Sequence, residues 1–518
     1  MRKWALMSAA GLLAATAAWA KPQVVRTVFP TRDVVIAEEV FALPEKNGAD
    51  IAPALQAVID RVSQAGGGTV FLPVGQYTLA SRVVVREGVT LRGDRSASDA
   101  AHSTVFRVTA DKGNEDALAT VSIERGSGLV GLVFWYPEQR VPDPIPYPWT
   151  VKNANMSAND NQTVADCTFV NAWKALCIGP DGNELHTFRN LRVCALKTGI
   201  SIDSTTDIGR ISEVTVSPQV WTASGFPNSP NAAALASYLL ANDTLAVDIG
   251  RSDWEYIWRL NVEGYRRGLV FRKGLRGTTN AVMAESELCG CGCAFEIDAL
   301  NQVGFSAYNC RFSGKDQSFL GTESFDAVTQ FHSCRFEGAV AMRGTGEATF
   351  QACDLTKSAV EAVRGQLLVQ DSALGEVKLG AEVTRARLLG FDEKAATITN
   401  ASTNGDVMVS ARNPRAQKAV PVMPEPMRVP RPESEAVFVV TDFGAAATNA
   451  DNAAAFQVAL DRAGANKGGG TVYVPAGLYL FRHDLVVPTG VELRGCFDVP
   501  HHTISAGSVL MPCQNRGK

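Results

Sequence analysis

The stretch "LVFWYPEQRVPDPIPYPWTV" (132–151) gathers Trp135, Tyr136, Tyr147 and Trp149 around one carboxylate, Glu138, in a proline-rich loop. Flat aromatic faces stack on sugar rings, and prolines stiffen a loop that has no regular structure. Trp173, on a later segment, joins the aromatic set. Cleaving a glycosidic bond takes two carboxyl groups, about 5–5.5 Å apart for retention or about 6.5–9.5 Å for inversion. Asp166, Asp203 and Asp207 are the nearest candidates to partner Glu138, and Asp166 is expected to face outward from its strand.

Other chemistries find less support. The six histidines are scattered, and the neighbours His501 and His502 would point to opposite sides of a strand, so no metal is expected. No cofactor motif stands out. Charged residues make up 20% of the chain with a net charge of −4 and no basic block, which argues against nucleic acid. "MRKWALMSAAGLLAATAAWA" has Arg2 and Lys3, a short apolar run and Ala18-Trp19-Ala20, the pattern of a secretory leader cleaved after Ala20. A secreted or periplasmic protein follows, with no membrane contact after cleavage. Export permits disulfides, but eleven cysteines cannot all pair within one chain.

The elements that must position these groups are written in repeats. "DIAPALQAVIDRVSQAGGGTVFLPVGQYTLASRVVVREGVTLRG" from Asp50 returns as "DNAAAFQVALDRAGANKGGGTVYVPAGLYLFRHDLVVPTGVELRG" from Asp451. Gln56, Asp60 and Arg61 match Gln457, Asp461 and Arg462. Leu55, Val58, Ile59 and Val62 have helical spacing; a glycine corner and short β-branched strands follow. Each copy therefore reads as a helical lid over stacked strands. Between the lids, Cys167, Cys194, Val214, Cys310, Cys334, Cys353 and Ser372 key a looser repeat, with Leu260 and Ser286 on intervening turns. A period near 20–25 residues with strand alternation predicts a parallel β-solenoid, with the keyed cysteines as a buried interior column of free thiols. Cys289, Cys291 and Cys293 alternate, which on a regular strand places them on one face.

The lid sentence resembles the pectate-lyase-like superfamily of right-handed parallel β-helices, which includes rhamnogalacturonases, polygalacturonase-related hydrolases, epimerases and lyases. Its tandem use is similar to the double-β-helix exo-β-1,3-glucanases. The resemblance implies an all-β, right-handed parallel β-helix with an N-terminal capping helix, followed by the start of a second such unit. It implies a polysaccharide or oligosaccharide as partner. It brings no catalytic residues, because Asn-Thr-Asp, Asp-Asp, Gly-His-Gly and Arg-Ile-Lys patterns and the calcium-binding Asp-x-Asp are all missing.

The expected organisation is a leader (1–20), a first β-helix (21–412, lid at 50–93), a proline-rich linker (413–435), and a second lid with its first strands (436–518), the unit being cut short. The leading functional expectation is an exported glycoside hydrolase acting on a polysaccharide. A lyase or epimerase acting on uronic acids is the alternative, with Lys174, Arg189 and Arg210 as candidate cations. A non-catalytic glycan binder is the third reading. The segment 216–254, with a helical middle from Ala232 to Leu240 between Trp221 and Trp254, interrupts the repeat and is expected to wall a groove or to contact a neighbour.

Overall fold

The computed structural model describes residues 48–514, apart from 96–102, 156–158, 404–405, 413–414, 416–419, 423, 425–431, 435 and 496–506. The leader, Cys496 and the pair His501–His502 lie outside the described residues.

The fold is a right-handed parallel β-helix. Thirty strands are joined by parallel pairing, and each turn of the coil contributes to three sheets. The first sheet contains Thr163–Ala165, Thr187–Arg189, Gly209–Ser212 and Glu255–Trp258. Long strands such as Thr168–Ile178 then bend, with register shifts between Phe169 and Lys174. Their beginnings build the second sheet and their ends the third.

The bend between the first and second sheets shows why a coil of this kind needs particular residues. Asp166, Asn190, Glu213, Arg259, Glu285, Asn309, Ser333, Ala352 and Asp371 take this corner in turn, each left-handed with φ between 49° and 55°. A left-handed residue is costly unless something holds it. Here each N–H donates to a carbonyl of the next turn, as from Asp166 to Arg189 O (3.0 Å) and from Asn190 to Ser212 O (2.9 Å). The residue after each corner points inward. These are Cys167, Leu191, Val214, Leu260, Ser286, Cys310, Cys334, Cys353 and Ser372, all buried.

That column carries the keyed residues with one correction. Thr168 pairs with Arg192, so Leu191 and not Cys194 lies over Cys167. Cys194 is buried three positions further on. Cys167, Cys310, Cys334 and Cys353 are buried free thiols. Cys289, Cys291 and Cys293 do not share a face: the strand turns its corner there, with Gly290 at φ 65° and register shifts on both sides of Cys291. Alternation fails wherever a strand bends between sheets.

Aromatic stacks fill the rest of the interior. Phe106, Phe134 and Phe169 follow one another at 5.6 and 5.1 Å between centroids. Further along, Phe331 packs against Phe312, Phe319, Phe336 and Phe350. Each pair adds about 0.5–1.5 kcal/mol beyond the burial of its area.

The lids repeat in contacts as well as in letters. Leu55, Val58, Ile59 and Val62 of helix Ala52–Gln64 are buried. Gln56 acts as one more strand residue: its amide donates to Val84 O (3.0 Å) and accepts from Val84 N (2.7 Å). Gln457 makes the same pair with Val486, at 3.0 and 2.9 Å. Each glutamine also donates to its aspartate one turn on, Asp60 or Asp461. In this way the helix end of the coil keeps its first strand edge satisfied.

Candidate functional site

The outer face of the third sheet carries a column that is polar except at Val270. Lys152, Cys177, Ser201, Asp248, Val270 and Glu296 lie on successive turns. On the last five strands the column residue sits between two fully buried apolar neighbours, such as Ile200 and Ile202, Val247 and Ile249, or Phe295 and Ile297. Strand alternation therefore forces these side chains outward.

Beside this column Asp203, Gly250 and Arg272 follow the paired strand ends Ile202, Ile249 and Phe271. Arg272 binds Asp248 through two nitrogens, Nε to Oδ1 at 2.7 Å and Nη2 to Oδ2 at 2.8 Å. Its Nη1 reaches Asp203 Oδ2 at 3.4 Å, two turns back. Gly250 makes that reach possible, because a Cβ there would lie 2.8 Å from Asp203 Cγ and 2.9 Å from Arg272 Nη1. Burial pulls the Arg272 pKa down, and the Asp248 and Asp203 carboxylates more than reverse that. Ser201 Oγ donates to Asp248 Oδ2 (3.0 Å).

The two remaining groups differ in their proton chemistry. Burial raises the Glu296 pKa, working against nearby Arg267, so its carboxyl keeps a proton to higher pH than an ordinary glutamate. Burial likewise pushes the Cys177 thiol up to about 12, which removes it as a nucleophile at neutral pH. Among the described residues no group of three or more His, Cys, Asp or Glu side chains could hold a metal. No helix among them is long and apolar enough to cross a membrane.

The four carboxylates read from the sequence do not converge. Glu138 is exposed in the loop after the second sheet and pairs with Lys112. Asp166 is a left-handed corner residue, 4% exposed, whose carboxylate takes the Asn190 amide at 2.6 Å. Asp207 is exposed in the loop after the third sheet and caps the N–H of Ile208. Only Asp203 adjoins the polar column, and its oxygens are already engaged by the N–H groups of Ser204, Arg251 and Leu275 as well as by Arg272. A Cβ on Gly274 would come within 2.1 Å of Asp203 Oδ1. Asp203 is thus an anchor for the loop carrying Leu275.

The aromatic set divides in two. Trp135, Tyr136 and Tyr147 are buried and cannot stack on a sugar. The segment that interrupts the repeat covers Trp135, while the Tyr136 and Tyr147 rings pack on each other at 4.6 Å. Phe226 stacks on Trp135 at 4.4 Å, Asn228 Oδ1 takes the Trp135 indole N–H (2.8 Å), and Asn228 Nδ2 donates to the carbonyls of Tyr136, Pro137 and Gln139. Trp149 and Trp173 stay half-buried, with Lys174 over the first ring and Lys197 over the second, each at 5.6 Å. Glu115 ties this patch together, accepting from Trp173 Nε1 (2.6 Å) and from Lys197 (2.8 Å).

Sequence reading missed Asp248, Arg272 and Glu296. A signal existed, a single polar residue between two large apolar ones in "VDI" and "FEI", but it means nothing until the register of the turns is known.

Residues 437–503 match the family described as Rhamnogalacturonase A/epimerase, pectate lyase-like. The match falls on the second lid, one of the two stretches that carry the resemblance. No curated protein matches the chain in sequence. Among solved structures, the chain is similar to the A-module of mannuronan C-5 epimerase AlgE4 of Azotobacter vinelandii, with 12% identity, 72% of this chain and 99% of that one covered, and a TM-score of 0.35. It is similar to DFA-IIIase from Arthrobacter chlorophenolicus A6 (11% identity, 71% and 85% covered, TM-score 0.37). An exopolygalacturonase from Thermotoga maritima gives 9% identity, 74% and 96% covered, and a TM-score of 0.33.

Proposed function

We propose that this chain is an exported carbohydrate-active protein, a glycoside hydrolase that cleaves a polysaccharide on the outer face of the third sheet. The observation that carries the reading is Glu296, a carboxyl whose pKa burial raises, on the same outward column as the ionic Asp248–Arg272 pair. The family match of the second lid supports the carbohydrate class.

In this reading Glu296 protonates the leaving oxygen and Asp248 draws a proton from the attacking water. The two lie two turns apart, about 9.6 Å at strand spacing, at the upper limit of the separation of about 6.5–9.5 Å that inversion uses. Ser201 and Arg272 hold Asp248 in place, and Lys152 faces the sugar hydroxyls. Release of reducing ends from a panel of soluble polysaccharides tests the activity, and the anomer first formed tests inversion. Activity that survives Glu296→Gln within about twofold removes the acid, since such catalysis contributes about 10²–10⁴-fold.

One observation favours a second reading, lyase or epimerase chemistry on uronic acids. Burial lowers the Lys174 pKa, as a lysine base requires, and Lys174 and Lys197 lie over tryptophan rings where an anionic sugar could bind. Unsaturated products absorbing in the ultraviolet would decide for the lyase.

A further inference from the structure

The outer face of the first sheet is a different surface from the one used above. On strand Glu255–Trp258 the inward positions are Glu255 and Ile257, so Tyr256 and Trp258 point out. Tyr256 is 43% exposed, and Trp254, just before the strand, is 45% exposed. Trp254 is also left-handed, at φ 64°, a conformation that a bulky residue adopts only where its surroundings hold it. Trp258 is fixed in place, with the Arg259 guanidinium stacked at 4.3 Å and its indole N–H given to Glu285 (3.2 Å).

Register extends this platform along the coil. Trp258 pairs with Ala284, Ala284 with Tyr308, and Tyr308 with His332. The rings of Tyr308 and His332 stack at 5.0 Å and 8°. Trp258 and Tyr308 thus stand two turns apart, about 9.6 Å, with only the methyl of Ala284 between them. That is close to the distance between every second ring of an extended β-linked glycan. The flanking outward column runs Tyr256, Val282, Ser306 and Gln330, with Gln351 over His332; these positions are uncharged, and the column meets a charge, Arg210, on the turn before Tyr256. Arg259, the cation beside it, is already paired with Glu285 (3.2 Å). At the neighbouring corner Asn309 Nδ2 donates to Val420 O (3.4 Å), while Trp254 and Tyr256 are exposed.

We propose that this aromatic face is a second, non-catalytic glycan-binding site that takes a neutral, extended, β-linked polysaccharide along the coil axis. Rings spaced by the turns of the coil supply stacking, and the amides and hydroxyls between them supply hydrogen bonds to uncharged sugar hydroxyls. The inference is independent of the reaction proposed for the third sheet.

The test is native gel electrophoresis of the full chain through gels with and without hydroxyethyl cellulose. Retardation by the neutral polymer that persists in high salt is expected. Tyr256→Ala and Tyr308→Ala should each weaken it on the order of tenfold, the worth of one well-stacked ring, while Asp248→Asn leaves it unchanged. Far-ultraviolet circular dichroism shows whether each variant keeps its fold, and Tyr308→Phe, which retains the ring, should bind as the parent does. Three results would overturn the site: no retardation of the parent, retardation unaffected by both alanine variants, or retardation only by polygalacturonate and abolished by salt. A dimer in solution that Tyr256→Ala splits would assign the face to a second copy of the chain instead.

Discussion

Two polar networks in this coil use the same construction on opposite sides of the wall. Inside, His186 Nε2 meets Glu255 Oε1 at 3.3 Å across two turns, and Ser252 Oγ donates to Glu255 Oε2 at 2.6 Å. Gly209 is the turn between them, and a Cβ there would lie 2.1 Å from Glu255 Oε2. Outside, Asp203 meets Arg272 across Gly250 in the same manner. In each case a glycine in the middle turn lets side chains that the strand spacing would hold about 9.6 Å apart come within contact. The difference is water. His186 and Glu255 are fully buried, so their pairing can only serve the fold, whereas Arg272 is partly open and sits against an outward column. Residue types alone would rank the inner Ser–Glu–His set as the more catalytic of the two; access reverses the order.

Breaking the inner network should have the largest effect. Glu255→Gln leaves a buried imidazole without its carboxylate and should cost about 3–5 kcal/mol, read as a fall in the urea midpoint. Gly209→Ala should cost about 1–3 kcal/mol by overpacking. On the outer side, Glu296→Gln should lower hydrolysis about 10²–10⁴-fold with the urea midpoint nearly unchanged.

The same residue sets a pH limb. Its folded pKa is raised, so activity that needs the protonated carboxyl falls as pH climbs through that value, and the Gln variant should lack this limb. Any stability that Glu296 contributes through its proton is complete below the unfolded pKa and lost as pH rises through the folded one. A pH–rate profile of parent and variant checks the sign.

Gly250→Ala sharpens the comparison. It should displace Arg272 from Asp203, lower activity by about tenfold, and cost about 1–2 kcal/mol, less than Glu255→Gln costs on the inner side. Lys197→Met, which breaks the partly exposed pair with Glu115, should change stability by no more than about 1 kcal/mol. Thermal unfolding of the two variants side by side measures the difference.

The sequence made the fold legible because a coil repeats its demands. Cys310, Cys334, Cys353, Ser372, Leu260 and Ser286 all occupy the predicted inward column. Cys194 misled because its strand holds Leu191 at the key position, and a buried cysteine three residues on fits the same loose pattern. The site was far less legible. Asp248 and Glu296 share a column only through the register of three successive turns, and neither carries a local motif. The aromatic loop misled in the opposite direction. Its composition was right for sugar contact, but which way the rings face is decided by Phe226 and Asn228, far downstream.

The left-handed corners have one more consequence. From Ser333 onward they recur at Ala352, Asp371 and Gly390, each hydrogen-bonded to the turn after it. Removing residues 353–371 would join Ala352 to Ser372 and bring identical corner geometry to the cut ends. The barrel of the coil could then be shortened by one storey, as a building loses a floor between matching landings, with the charged and aromatic faces nearer the helical end left standing.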